Sequence, residues 1–170
     1  MHWLLYFYRK MFMAVIRIET HINADIQTSF DLSRNIDFHK ASMAHSNEKA
    51  IAGKTSGLIG LGEWVTWEAK HFGVKQQLTS KITEFESPYR FVDEQTKGAF
   101  KRFRHEHVFI SEEKNKTLMI DKFDFQSPFG VFGKLANLLF LKRYMTNLLI
   151  TRNCFLKEKA EKLVQLNVNQ

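Results

Sequence analysis

The stretch from Phe129 to about Leu163 constrains the fold more than any other part of the chain. It follows Ser127-Pro128, and a proline can neither continue a strand ladder nor sit inside a helix. After Gly133 there is no Gly or Pro to the end of the chain, and the helix formers Leu, Lys, Ala, Met and Arg dominate. Leu135, Leu138, Leu139, Met145, Leu148, Leu149, Phe155 and Leu156 recur at helical spacing. Lys142, Arg143, Arg152, Lys157, Glu158 and Glu161 take the other positions. A helix of that length with one apolar face needs a large apolar partner. The chain before it reads as mostly β, so the expected partner is a sheet.

The 170 residues suit one domain, expected over 13–163 with a C-terminal tail over 164–170. With 16 Phe and only 2 Pro, the chain has many rings and few breakers, which suits a large apolar interior. The net charge of +7 would allow a phosphate-bearing partner or an anionic membrane surface. The basic residues are scattered, however, and nothing resembles a DNA-reading helix, so no nucleic-acid partner is expected. Cys154 is the only cysteine, which excludes an intrachain disulfide and fits a reducing, cytoplasmic setting. It is expected to be a small buried residue of the helix. No run approaches the roughly 20 apolar residues of a membrane-spanning helix.

In the first twelve residues, Trp3 to Tyr8 are apolar or aromatic and end at Arg9-Lys10, the reverse of a signal peptide's order. Residues 1–12 therefore read as a loose extension or a mis-assigned start, with Met11 or Met13 the functional one. Weak membrane-surface association is the alternative.

From Met13 the chain alternates. Ile16, Ile18 and Ile22 share one parity, and Val15, Arg17, Glu19 and His21 the other, as in a half-buried strand. Asp25 is placed to cap a short helix carrying Ile26, Phe30 and Leu32, and a second short helix is expected from about Ile36 to Met43. Ile51 to Gly62 is rich in Gly, Ser and Thr. It lacks the glycine spacing of a phosphate loop and no helix follows, so it reads as a strand with a flexible hairpin or bulge. Strands are expected over Glu63–Phe72, Val74–Phe85, Arg90–Lys97, Arg102–Ile110 and Thr117–Gln126, punctuated by Gly73, Ser87-Pro88, Gly98-Ala99 and the polar run 112–116. Consecutive strands joined by short turns pair as neighbours. The expected class is α+β: a curved antiparallel sheet of six to seven strands around a long C-terminal helix, with two short helices after the first strand.

That order resembles the helix-grip fold of the SRPBCC (START-like) superfamily, which includes plant pollen allergens and polyketide cyclases. The stretches Thr55-Ser56-Gly57-Leu58-Ile59-Gly60-Leu61-Gly62-Glu63, Val65-Thr66-Trp67, His71-Phe72-Gly73, Phe91-Val92-Asp93-Glu94, Phe103-Arg104-His105-Glu106-His107 and Ser127-Pro128-Phe129-Gly130 look like those of small bacterial members, some labelled cyclase/dehydrase-like. The resemblance implies a cavity for a hydrophobic or amphipathic molecule. It does not imply a common reaction.

Strand parity names the candidates. Glu63, Val65, Trp67, Ala69 and His71 share a face. So do Phe91 and Asp93, then Phe103, His105, His107 and Phe109, then Asp121, Phe123 and Phe125. The expected ligand-binding set is Glu63, Trp67, His71, Phe91, Asp93, Phe103, His105, His107, Phe123 and Phe125, with Leu148 from the helix. The ionisable members His71, Asp93, His105, His107 and Asp121 are the candidates for acid/base catalysis, because a carboxylate beside an imidazole on the next strand is both tolerable inside a protein and able to move protons. They serve equally well as groups that orient a ligand or a core side chain. His105-x-His107 has a spacing that zinc sites use, with His71, Glu63 or Asp121 as a third ligand. Phe103 and Phe109 around it suit a cavity wall equally, so no metal and no cofactor is expected. His45 is expected near one cavity end. The function this supports is binding of a lipid, quinone or polyketide-like molecule. The alternatives are an enzyme of cyclase, hydratase or isomerase type, and an interaction module whose cavity is filled by side chains.

Overall fold

The computed structural model describes residues 13–71, 73–127 and 134–168, with side chains at all of these except 13, 45, 134–138 and 167–168. The expectations placed on residues 1–12, on the start of the long helix at Phe129 and on the side chain of His45 lie outside the described residues.

The elements are β1 (Met13–Ile22), α1 (Ile26–Ser33), α2 (Ile36–Ser42), a 3-10 turn (Ala44–Ser46), β2 (Lys49–Gly53), β3 (Trp64–His71), β4 (Val74–Glu86), β5 (Arg90–Lys97), β6 (Arg102–Glu113), β7 (Lys116–Gln126) and α3 (Lys134–Val168). The seven strands form one antiparallel sheet in the order β1-β7-β6-β5-β4-β3-β2. β2 to β7 therefore meander, and β1 closes against β7, with Ile16 opposite Phe123 and Ile18 opposite Asp121. This is the helix-grip architecture, with α3 laid along β1 and against α1 and α2.

Local chemistry accounts for the helix starts. The Asp25 carboxylate accepts the Thr28 N–H at 2.9 Å and caps α1. Asn35 does the same for α2 through the Phe38 N–H at 3.0 Å. Two aromatic clusters then hold the layers together. Phe30 of α1 lies edge-on to Phe85, Phe91 and Phe109 with centroids 5.4, 5.6 and 5.4 Å away. At the other end of the sheet, Phe103, Phe123 and Phe125 pack with Ala14, Ile16 and Leu149. Each fully buried ring contributes roughly 1.5–3 kcal/mol relative to an exposed one.

Three expectations need correction. The stretch from Ile51 to Gly62 is a strand with a bulge, as expected, only as far as Gly53. β2 begins at Lys49, bulges between Ala50 and Ala52 and ends at Gly53. The rest is a loop pinned to the α1–α2 junction by Ile36 N–H to Gly57 O (2.9 Å) and Ile59 N–H to Arg34 O (3.1 Å). The helix does not give way to a tail at 164, because it runs to Val168 and Val164 packs on the core. Its buried line is Leu149, Arg152, Leu156 and Ala160, spaced three or four residues apart, with Met145 half-buried on the same line. Leu139 and Phe155 fall off that line and are exposed, and so does Cys154, which is exposed rather than buried.

Candidate functional site

The sheet and α3 do not close on each other completely. A cavity of about 300 Å³ remains between them. Of the residues expected to line it, Trp67, His71, Phe91, Asp93, Phe103, His105, His107, Phe123 and Leu148 do so. Three do not. Glu63 precedes β3 by one residue, and the glycine-rich loop claims its carboxylate: the Gly60 N–H donates to it at 2.7 Å and Lys54 Nζ at 3.2 Å. Phe125 is fully buried against Phe100 and Phe123 in the second aromatic cluster. Asp121 lies behind the cavity wall, where it holds two of the lining residues.

That polar group is built by strand register. His105 and His107 are two residues apart on β6, so both imidazoles point to the concave face. Asp93 of β5 is directly opposite His105, and Asp121 of β7 is directly opposite His107. Asp121 Oδ1 is 3.0 Å from His105 Nε2 and 2.7 Å from His107 Nδ1. The first contact is a hydrogen bond. The second is too far out of line for one, which leaves His107 Nδ1 in electrostatic contact only. The other oxygen of Asp121 accepts Asn153 Nδ2–H at 2.6 Å. On the cavity side, Asp93 Oδ1 is 3.3 Å from His107 Nε2 and 3.8 Å from His105 Nδ1. Asp93 is 18% accessible because it faces the void, yet protein surrounds it.

The electrostatics follow from that packing. Burial by itself would raise the Asp121 carboxyl, but the charge of His107 and the hydrogen bond and charge of His105 more than offset this and hold it well below the ordinary range. Burial would likewise raise Asp93, and contact with His107 and His105 brings it below its usual value. His105 is pushed down, first by burial and then by the charge of His107. His107 is drawn up: burial works against it, and Asp121 and Asp93 together outweigh burial.

Sequence reasoning placed Arg152 on the polar side of the helix. The structure buries it in the cavity wall, with Nη2 donating to Ser33 O at 2.9 Å and Ser33 Oγ at 3.1 Å, and Nη1 3.8 Å from Asp121 Oδ1. Its position three residues after Leu149 and four before Leu156 was the available signal. A second polar group was also missed. Glu48 and His39 meet at 3.2 Å, and the His39 ring lies over Trp67 with centroids 4.3 Å apart. His71 Nδ1 and the Tyr144 hydroxyl are 2.7 Å apart. Burial would raise Glu48, but the charge and hydrogen bond of His39, with smaller help from His71 and Arg152, bring it below its usual value. No sequence period could have flagged Glu48, which lies in the connection before β2.

No protein-family model matches the chain, and no curated protein does. Solved structures do match. TTHA0849 from Thermus thermophilus is similar at a TM-score of 0.71 and 17% identity, over 86% of this chain and 97% of that one. The Zhui aromatase/cyclase from Streptomyces sp. R1128 is similar at 0.73 and 12%, over 89% and 96%. A START superfamily protein from Mycobacterium smegmatis is similar at 0.65 and 12%, over 88% and 98%. The resemblance drawn from the sequence thus holds at the level of fold, which is what identities this low convey.

Proposed function

We propose that the chain binds an amphipathic small molecule of the lipid, quinone or polyketide-like class between the sheet and α3. The observation that carries this reading is the cavity of about 300 Å³, whose wall is largely aromatic and aliphatic yet holds one compact charged group. A void of that size and lining is at the lower end of small-ligand sites. Trp67, Phe91, Phe103, Phe123 and Leu148 would cover the apolar body of the ligand. Asp93, His105, His107 and Arg152 would orient its polar end. Among the described residues no helix is long and apolar enough to cross a membrane. Native mass spectrometry of the purified chain tests the proposal. A co-purifying apolar species, displaced by an environment-sensitive apolar dye, is the expected result. No adduct together with no saturable dye binding would overturn it.

One observation favours a second reading, acid/base catalysis of cyclase, hydratase or isomerase type. Three proton-transferring side chains, Asp93, His105 and His107, line the cavity with contacts of 3.3 and 3.8 Å. His107→Phe keeps a ring and removes the proton carrier. In a carrier it changes ligand affinity by about 1–2 kcal/mol, the scale of a hydrogen bond. In an enzyme it lowers turnover of the identified occupant roughly 100-fold with little change in binding.

A further inference from the structure

The inner nitrogens of the two β6 imidazoles are engaged by one carboxylate. Asp121 Oδ1 lies 3.0 Å from His105 Nε2 and 2.7 Å from His107 Nδ1. The outer nitrogens, His105 Nδ1 and His107 Nε2, lie 3.8 and 3.3 Å from one atom, Asp93 Oδ1, and the His107 contact is a hydrogen bond whose proton a cation would replace. Two imidazole nitrogens and one carboxylate oxygen therefore converge at the edge of the cavity.

We infer that Asp93, His105 and His107 form a binding site for a first-row divalent transition-metal ion on the sheet wall of the cavity. One donor atom from each residue lies within 4.8 Å of the other two. Donors around a tetrahedral zinc ion are about 3.4 Å apart, given bonds of about 2.1 Å, so a small inward movement completes the site. Two imidazoles and one carboxylate are a donor set suited to zinc, iron, cobalt or nickel. Asp121 supplies support behind the site: it hydrogen-bonds the far nitrogen of His105 at 3.0 Å, lies 2.7 Å from that of His107, and is itself held by Asn153 at 2.6 Å. The third ligand is Asp93, not His71, Glu63 or Asp121 as the sequence suggested. Charge agrees as well. A dication here faces Asp93 and is backed by Asp121, whose charge it shares with Arg152 at 3.8 Å. All three ligands stand on paired strands, whose backbone registers fix their spacing. The remaining coordination positions open to the cavity, where a carbonyl or hydroxyl oxygen of an occupant, or water, would complete them. The ion needs only the sheet wall, so its binding is independent of the proposed amphipathic ligand.

The test is titration of the chelator-treated full chain with Zn²⁺ by calorimetry and with Co²⁺ by visible absorption. The expected result is one equivalent bound with micromolar or tighter affinity, weakened roughly 100-fold in Asp93→Asn and in His107→Gln. Co²⁺ should give the d–d bands of a low-coordinate N/O site with no near-ultraviolet thiolate band, which sets Cys154 aside. Imidazole ¹⁵N spectra of the unmutated protein make the test independent of variant folding. On Zn²⁺ addition, His105 Nδ1 and His107 Nε2 should shift, while His21 and His39 should not. No binding tighter than about 100 μM, equal binding in the variants, imidazole shifts confined to His21 or His39, or a Co²⁺–thiolate band from Cys154 would overturn the inference.

Discussion

Arg152 of α3 donates to the backbone carbonyl and the hydroxyl of Ser33 at 2.9 and 3.1 Å, tying the long helix to the last residue of α1. The same guanidinium is 3.8 Å from Asp121 on the sheet. One buried cation therefore joins the three layers that enclose the cavity. Arg152→Met keeps much of the stem and removes the charge, leaving Ser33 O and Asp121 short of a partner. The expected loss is about 2–4 kcal/mol. Arg143→Met, at an exposed position of the same helix, should stay within about 0.5 kcal/mol. Urea denaturation of both variants measures the contrast, and equal midpoints would show that Arg152 is not a structural tie.

The apolar line of α3 makes a second contrast. Leu156 is fully buried in the cluster around Phe30, while Ile150 is exposed on the other side of the helix. Leu156→Ala should cost about 2–5 kcal/mol, counting both lost transfer energy and the void left behind. Ile150→Ala should cost under about 0.5 kcal/mol. Thermal melts that rank the two in the opposite order would mean that the helix is rotated.

Strand parity made most of this site legible. Phe103, His105, His107 and Phe109 alternate with Arg104, Glu106 and Val108, so the inward set followed from the period of two, and with it the imidazole–carboxylate pairs across β5, β6 and β7. Asp25 could be read as a cap because its chemistry is local. Failures came where tertiary packing overrode the pattern. Charge marks Arg152 as a surface cation, whereas its spacing from Leu149 and Leu156 sets it on the inner line, and the spacing wins. Lys157, also read as a solvent position, donates to the His21 carbonyl at 2.6 Å. Glu63 was lost to a one-residue shift in the start of β3, which a glycine-rich loop of variable geometry can absorb. Glu48 and His39 meet through the α2–β2 connection, and no periodicity reports a loop's path.

Glu48 gives a pH prediction. Its folded-state carboxyl titrates below the usual value of 4.5, because His39 on α2, with His71 on β3 and Arg152 on α3, outweighs the penalty of burial. A depressed carboxyl contributes stability that is fully present above its unfolded value and lost as pH falls through the folded one. Tyr144 also faces it and stays neutral throughout that range, since burial and Glu48 raise its hydroxyl. The stability gap between the wild type and Glu48→Gln should therefore be widest above about pH 5 and narrow steadily below it. Urea titrations at stepped pH read the gap. One that is flat or widens toward acid would contradict the assigned direction.

Leu148 decides whether the cavity is real space or an interior that side chains close in solution. It lines the void from the α3 side and is only half-buried, so a larger side chain there has somewhere to go. In a fully packed interior, Leu148→Trp would force neighbours off their rotamers at about 1–3 kcal/mol. Across an open void the indole can occupy existing space, and its added apolar area offsets the loss of side-chain freedom. The expected result is stability within about 1 kcal/mol of wild type and a blue-shifted tryptophan emission. Affinity for an apolar dye should fall, because the indole takes volume that the dye needs. A clear drop in the urea midpoint with no dye binding by the parent chain would mean a filled interior, and the interaction-module reading would then take precedence over ligand binding.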